Sequence, residues 1–187
     1  MEDERIVDLY WAREESAITE TQQKYGKYCL KIAWNVLANR EDSEECVNDT
    51  WMKAWNAMPT ARPGRLSAFL GKITRNLALD RFEKNSAKKR GEGQVTLVLE
   101  ELQDCLPDAT SVDQSVHHLV LREVLNEFLR GQTEKNRSIF LRRYWYLSPV
   151  KEIAEDFHMS ESAVKMNLLR SREKLRKCLE KEGGIPE

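Results

Sequence analysis

The sequence predicts an all-α protein made of two small helical domains. Apolar side chains recur at helical spacing in several separate segments, and an acidic stretch without such a period divides them. The chain of 187 residues contains only 8 glycines and 5 prolines, which argues against an all-β chain with many tight turns. We therefore expect one helical domain over residues 1–88, a flexible linker over 89–114, a second helical domain over 115–182 and a tail over 183–187.

The first domain contains three clear helical stripes and one weaker stripe. The clear stripes begin near Tyr25, Val47 and Leu66, and each repeats apolar residues at the spacing of one helix face. Pro59 lies where the second clear stripe stops, as expected of a residue that breaks helices. The weaker stripe, which starts near Ile6, predicts one more helix at the N-terminal end.

Residues 91–113 differ in composition from the segments on either side. They carry six acidic residues and no lysine or arginine, which gives a net charge of −6. Two glycines, a proline and the lack of a sustained period favour a linker. The run over residues 95–99 has the composition of a short strand, but an isolated strand would have nothing to pair with. We interpret this run as extended or bound to a partner.

The second domain is predicted to hold four helices. Its first apolar stripe ends at Gly131, and Thr133 is placed to cap the next helix. Ser148, with Pro149 at the first helical position, is the expected start of the third helix. Ser160 is the expected N-cap of the last helix, which should continue to the glycines at 183 and 184.

Residues 150–169 have the spacing of a helix-turn-helix. Ala154 is small where the second helix should cross the first, and Val164 is placed to pack back onto that first helix. Glycine is common in such a turn because a positive φ is convenient there, and His158 occupies that place. Spacing alone leaves an ordinary helical hairpin without nucleic acid as an alternative.

Charge is segregated into three zones. Residues 162–181 hold seven basic and two acidic residues, a net of +5 on one helix, which favours contact with DNA phosphates. Residues 65–90 hold eight basic and two acidic residues, a net of +6, with Phe69 and Phe82 among them. Basic side chains together with aromatic rings suit the binding of single-stranded nucleic acid, whose bases can stack on the rings, although both rings can also belong to the core. Five acids within residues 41–49 complement a helix N-terminus or, as we prefer, form a docking surface for a basic partner.

Three segments resemble the extracytoplasmic-function sigma factors of the sigma-70 family. Residues 42–55 are similar to the helix of conserved region 2, residues 67–80 to the promoter-melting segment that follows it, and residues 153–175 to region 4. The resemblance implies a transcription initiation subunit that binds core RNA polymerase and promoter DNA and performs no covalent chemistry. The resemblance also allows an anti-sigma factor as a further partner.

The resemblance also implies three groups of site residues. The residues implied to grip the clamp helices of the polymerase are Glu45, Asn48 and Asp49, the last two being shorter than the usual pair. The residues implied to read the melted downstream element are Lys72, Arg75, Asn76 and Asp80. The residues expected at the upstream duplex element are Lys165, Met166, Leu169 and Arg170 at base edges and Arg172, Arg176 and Lys177 at phosphates. Met166 and Asn167 replace the Ser and Arg that are common in the family, which leaves the upstream sequence open.

The sequence offers no pattern for a cofactor, a metal or catalysis. None of the four cysteines forms a C-x-x-C pair, and the three histidines lack metal-ligand spacing with them. We expect at least Cys29 and Cys46 to be buried reduced thiols. No paired carboxylate, Ser–His pair or phosphate-cradling glycine loop lies in a plausible context for an enzyme.

Location and rival functions follow from the same features. Apolar runs are too short to cross a membrane and the N-terminus lacks a signal peptide, so we expect a cytoplasmic protein. One rival is a stand-alone helix-turn-helix regulator that recruits polymerase without melting DNA. The rival from another class is a helical adaptor whose basic helices bind acidic protein.

Overall fold

The computed structural model describes residues 1–86, 94–103 and 114–183, and contacts divide the chain into two compact units, Met1–Gly93 and Gln94–Glu187. All regular elements within the described residues are helices, so the predicted all-α class is confirmed. The division falls after Gly93, whereas the sequence suggested a linker over 89–114. The predicted limits of the two domains stay a prediction.

Within residues 1–86, the part of the first unit that the structure describes, four helices form a bundle. Its helices are α1 (Asp3–Trp11), α2 (Ser16–Leu37), α3 (Arg40–Ala57) and α4 (Leu66–Ser86). Helices α2, α3 and α4 pack against one another, and α1 packs on α2. Fully buried side chains such as Ile6, Tyr10, Met58, Leu66 and Leu70 form the core. The weak N-terminal stripe corresponds to α1 and to the first turns of α2, which begins earlier than the sequence indicated.

The turn between α2 and α3 fixes the direction of the acidic helix. Ala38 adopts a left-handed conformation with φ of 49°, which ends α2. The Asn39 side chain then accepts a hydrogen bond from the Asp42 N–H at 3.0 Å and caps α3. Acids in the first turn of α3 complement its macrodipole.

Helices α2 and α4 approach closely at Gly71. A Cβ atom on this residue would lie 2.6 Å from the Tyr28 hydroxyl, so a larger side chain would displace the ring. Nearby, the Thr50 hydroxyl lies 3.1 Å from that of Thr74, joining α3 to α4. These contacts hold α4 at a fixed position against its neighbours.

Two cysteines lie in this core. Cys29 is 0% and Cys46 is 1% exposed, which confirms the prediction of buried thiols. Burial raises the pKa of each thiol to about 11. At neutral pH both groups are therefore protonated and poor nucleophiles.

The second unit packs its helices around the last one. Its helices are α5 (Gln94–Gln103), α6 (Gln114–Arg130), α7 (Glu134–Tyr144), α8 (Val150–Asp156) and α9 (Glu161–Gly183). Helix α9 contacts α6, α7 and α8, and its buried side chains include Val164, Leu168 and Leu175. The rings of Phe128 and Phe140 lie 5.1 Å apart and add an aromatic contact.

The interpretation of residues 95–99 as extended is wrong, because they form part of α5. Val95 and Val98, three positions apart, are 6% and 3% exposed, whereas Leu97 and Leu99 are 47% and 60% exposed. That burial follows a helical and not an alternating period. Of the rest of the predicted linker over 89–114, residues 89–93 and 104–113 lie outside the described residues, and Gln114 begins the next helix.

The predicted caps of the second unit are largely confirmed. Thr133 accepts a hydrogen bond from the Asn136 N–H at 3.3 Å, and Ser160 accepts one from the Ala163 N–H at 3.1 Å. The expected cap of α8 is wrong by one position. Pro149 is the N-cap, and Ser148 is buried before it.

Candidate polymerase and DNA interfaces

The turn between α8 and α9 has a defined left-handed geometry. The Met159 N–H donates to the Ala154 carbonyl at 2.9 Å and the His158 N–H to the Glu155 carbonyl at 3.2 Å, which is a Schellman motif. His158 has a φ of 52°, so the expected positive φ at this place is confirmed. The turn therefore orients the start of α9 across α8.

The packing between α8 and α9 buries the two side chains selected from the sequence. Ala154 is 5% and Val164 is 0% exposed. The two helices contact each other, and Leu168 continues the buried face of α9 one turn later. This buried face fixes which side of α9 points to solvent.

The opposite side of α9 presents two cations and two apolar side chains. Lys165 and Arg170 are exposed, and Met166 and Leu169 are 49% and 40% exposed. The four residues lie at i, i+1, i+4 and i+5 and therefore share one face of the helix. Cations can pair with guanine acceptors and apolar groups with thymine methyls, so this face suits contact with base edges in the major groove.

The three residues expected at phosphates differ in their surroundings. Arg176 donates to Glu180 at 2.8 Å on the helix surface, and Lys177 is exposed. Arg172 is only 16% exposed in its side chain and donates to the Tyr144 hydroxyl at 2.6 Å. Its guanidinium also lies 3.5 Å from a Glu101 carboxylate oxygen on α5. The structure thus gives Arg172 internal partners that the sequence did not indicate.

Glu101 is the centre of a polar cluster that sequence reasoning missed. Its carboxylate accepts from Arg143, with a shortest distance of 2.6 Å, and from the Tyr144 hydroxyl at 3.0 Å. Arg143, 3% exposed, also donates to the Gln94 side chain at 2.8 Å and to the Ser148 carbonyl at 3.1 Å. Burial raises the pKa of Tyr144 well above its ordinary value, so the hydroxyl stays protonated.

In the first unit, three of the four residues implied for the downstream element share an exposed face of α4. Lys72, Asn76 and Asp80 lie four positions apart and are exposed. Arg75 is partly buried beside them, and burial lowers the pKa of its guanidinium. Both aromatic side chains of the basic zone, those of Phe69 and Phe82, are partly exposed. The structure brings these residues together along one helix.

The acidic residues implied for polymerase binding lie on α3 and contact Arg81 of α4. Arg81 donates to Glu45 at 2.7 Å and to Asp49 at 3.0 Å. The two carboxylate side chains remain 66% and 48% exposed, and Asn48 is exposed between them. The hydrogen bond from Arg81 lowers the pKa of Glu45, which is therefore charged at neutral pH. We call this group, Glu45, Asn48, Asp49 and Arg81, the acidic face.

Other kinds of site receive no support within the described part of the chain. Among those residues, no group of three or more His, Cys, Asp or Glu side chains is arranged to hold a metal ion. Over the same ranges, every helix is too short or too polar to cross a membrane.

Two family models match the chain in the order that the sequence suggested. Sigma-70 region 2 matches residues 22–88, which include the acidic face and the exposed face of α4. Sigma-70 region 4 matches residues 129–175, which include the helix-turn-helix. The chain belongs to the extracytoplasmic-function group of sigma-70 factors. No curated protein sequence matches it.

This sigma factor directs RNA polymerase to promoters. Sigma regions 2 and 4 bind core polymerase and promoter DNA, so both units of the chain carry an interface. Sigma factors are transcription initiation factors and not enzymes. The family assignment explains why each unit exposes a basic helix while the whole chain has a net charge of −1.

Proposed function

We propose that α9 reads the upstream promoter element in the major groove. The observation that carries this proposal is the exposed face of Lys165, Met166, Leu169 and Arg170 on the first half of α9. In a helix-turn-helix the N-terminal half of the second helix contacts base edges. Arg176 and Lys177 lie further along α9 and meet phosphates.

The exposed face of α4 is proposed to read the melted downstream element. In this proposal Asn76 contacts an extruded base. Asn76 is exposed, and Lys72 lies one turn before it on the same face. Arg75, and the rings of Phe69 and Phe82, supply further cationic and stacking surface for a single strand. Asp80 lies on the same face one turn after Asn76. Its negative charge repels the phosphates of the bound strand and limits how far along this face the strand can extend.

The acidic face is proposed to bind the clamp helices of core polymerase. Its carboxylates are charged and exposed, so they can pair with cations of a basic partner. Arg81 already neutralises part of their charge, so a polymerase cation must share Glu45 and Asp49 with it.

A sigma factor of this kind performs no covalent chemistry and works in the cytoplasm with its polymerase. No surface of the described residues is assigned to an anti-sigma factor.

The test is a promoter library titrated with variants of the chain in complex with core polymerase. Lys165→Ala or Arg170→Ala should cost about 1–3 kcal/mol and change the preferred upstream sequences. Arg176→Ala should weaken binding about equally for all sequences and flatten the salt dependence by roughly one unit of slope. A uniform loss for the first two variants, with altered preference from Arg176→Ala, would show that α9 lies in the groove in another orientation.

A further inference from the structure

A groove between α7 and α9 holds a pair of amide side chains that reaches beyond the helix-turn-helix. Asn167 of α9 donates a hydrogen bond from Nδ2 to Oδ1 of Asn136 on α7 at 2.7 Å. The two residues are 31 positions apart in the chain, and both side chains are partly buried. Asn167 replaces an arginine that is common in the family, so this pair is a feature of this chain.

The hydrogen bond between the two amides orients the Asn136 side chain. Because Oδ1 of Asn136 accepts from Asn167, Nδ2 is the atom of that amide left to donate, and it carries two hydrogens. Among the described residues, none accepts a hydrogen bond from this Nδ2 atom. Asn136 lines the groove, so a ligand bound there meets an oriented amide donor.

The groove around this amide is basic. Besides the two asparagines it is lined by five residues of α9, three of them cations and one an acid: Arg170, Ser171, Glu173, Lys174 and Lys177. The three cations are exposed, and within the described part of the second unit none of them makes an ion pair. They lie at i, i+4 and i+7 and therefore form one stripe along the side of α9 that borders α7.

A phosphate of duplex DNA fits this groove in position and in chemistry. When the second helix of a helix-turn-helix lies in the major groove, the two sugar-phosphate backbones pass on either side of it. The stripe of cations lies beside the proposed reading face, so one backbone runs over the groove. Lysine and arginine attract phosphates of any sequence, and asparagine side chains commonly donate to phosphate oxygens.

We propose that Asn136 of α7 is a DNA contact outside the helix-turn-helix, which donates from Nδ2 to a phosphate oxygen of the backbone beside α9. Asn167 is a positioning residue that orients the Asn136 amide. This inference rests on the proposed role of α9 at the upstream element. Because phosphates carry no sequence information directly, the contact fixes the position of α9 in the groove and leaves the choice of bases to the reading face.

The first test measures the affinity of the chain, in complex with core polymerase, for the promoter library over a salt series. Asn136→Ala should weaken binding about tenfold for all upstream sequences alike, because a hydrogen bond to a charged group is lost. A neutral donor releases no counterion, so the salt slope should stay the same, whereas Lys174→Ala should flatten it by about one unit. Asn126→Ala makes the same change at an exposed position of α6 and should leave affinity within about twofold.

A double-mutant cycle tests how Asn167 acts. Asn167→Ala should weaken binding about threefold by itself and add nothing when Asn136 is already alanine, since its effect passes through Asn136. Additive losses from the two substitutions would overturn the positioning role. A lower melting temperature for Asn136→Ala with unchanged affinity would show that the pair is a packing contact and does not bind DNA.

A second measurement changes the DNA and leaves the chain unmodified. Single methylphosphonate linkages, each of which replaces a charged phosphate oxygen by a methyl group, are placed one at a time along the upstream duplex. One linkage should weaken binding by the unmodified chain about tenfold and binding by Asn136→Ala by a clearly smaller factor. A scan without such a linkage, or a changed sequence preference for Asn136→Ala, would overturn the phosphate contact alone. If Lys165→Ala and Arg170→Ala change neither affinity nor preference, the reading face is wrong and the phosphate contact fails with it.

Discussion

Reversing the charge of the acidic face tests how the first unit binds polymerase. The double variant Glu45→Lys with Asp49→Lys changes two exposed side chains on one face of α3. In residues 40–49 one cation faces five acids, a net of −4, and in the variant three cations balance three acids. A basic partner would therefore meet a neutral segment with two lysines at the centre of the contact.

The expected effect is large for binding and small for folding. Losing two charge pairs and replacing them by like-charge contacts should weaken core polymerase binding at least about a hundredfold. Ion pairs at exposed positions contribute little to stability, so the unit should stay folded without its contacts to Arg81. Affinity for core polymerase is measured by anisotropy of the labelled chain, with circular dichroism to follow the helices.

Two controls separate the partner contact from the internal one. Glu4→Lys with Glu14→Lys makes the same charge change at exposed positions outside residues 40–49 and should leave affinity for core polymerase within about threefold. Arg81→Gln keeps both acids and removes their internal partner, so the affinity for core polymerase should stay the same or rise. If Arg81→Gln loses as much affinity as the double reversal, the network supports the fold of α3 and α4 and the acids do not contact the polymerase.

Three further outcomes follow from local geometry. His158→Gly should raise the stability of the second unit by about 1 kcal/mol, because a left-handed residue with a side chain is strained, and a lower melting temperature would contradict this. Thr133→Ala should lower the stability of that unit by about 1 kcal/mol through loss of the cap on α7, measured by urea denaturation; an unchanged midpoint would contradict it. Cys29 and Cys46, whose pKa values burial raises to about 11, should react with a thiol reagent at pH 8 far more slowly than in urea; equal rates would show that the core opens readily.

Periodicity was enough to predict the helices whose apolar face is long. The buried face that includes Val164 and Leu168 fixes the rotation of α9, so the exposed position of Lys165 and Arg170 followed from the sequence. The positive φ at His158 was predicted because the spacing of a helix-turn-helix requires a turn there.

Contacts between distant segments were not predictable in the same way. Helix α5 was missed because its valines favour strands and its apolar stripe is short, while its stabilising partner Arg143 lies 42 residues beyond Glu101. The pairing of Arg81 with the acids of α3 depends on the rotation of α4 against α3, which no local pattern specifies. Contacts between segments distant in sequence determine both the formation of α5 and the pairing of Arg81.

Run-off transcription with purified core RNA polymerase and genomic promoter fragments tests whether this chain initiates transcription at specific promoters. We expect discrete transcripts from a subset of fragments only when the chain and core polymerase are both present, and loss of those transcripts with Glu45→Lys and Asp49→Lys. Promoter binding by the chain that is unaffected by core polymerase, together with no transcripts from any fragment, would contradict this expectation.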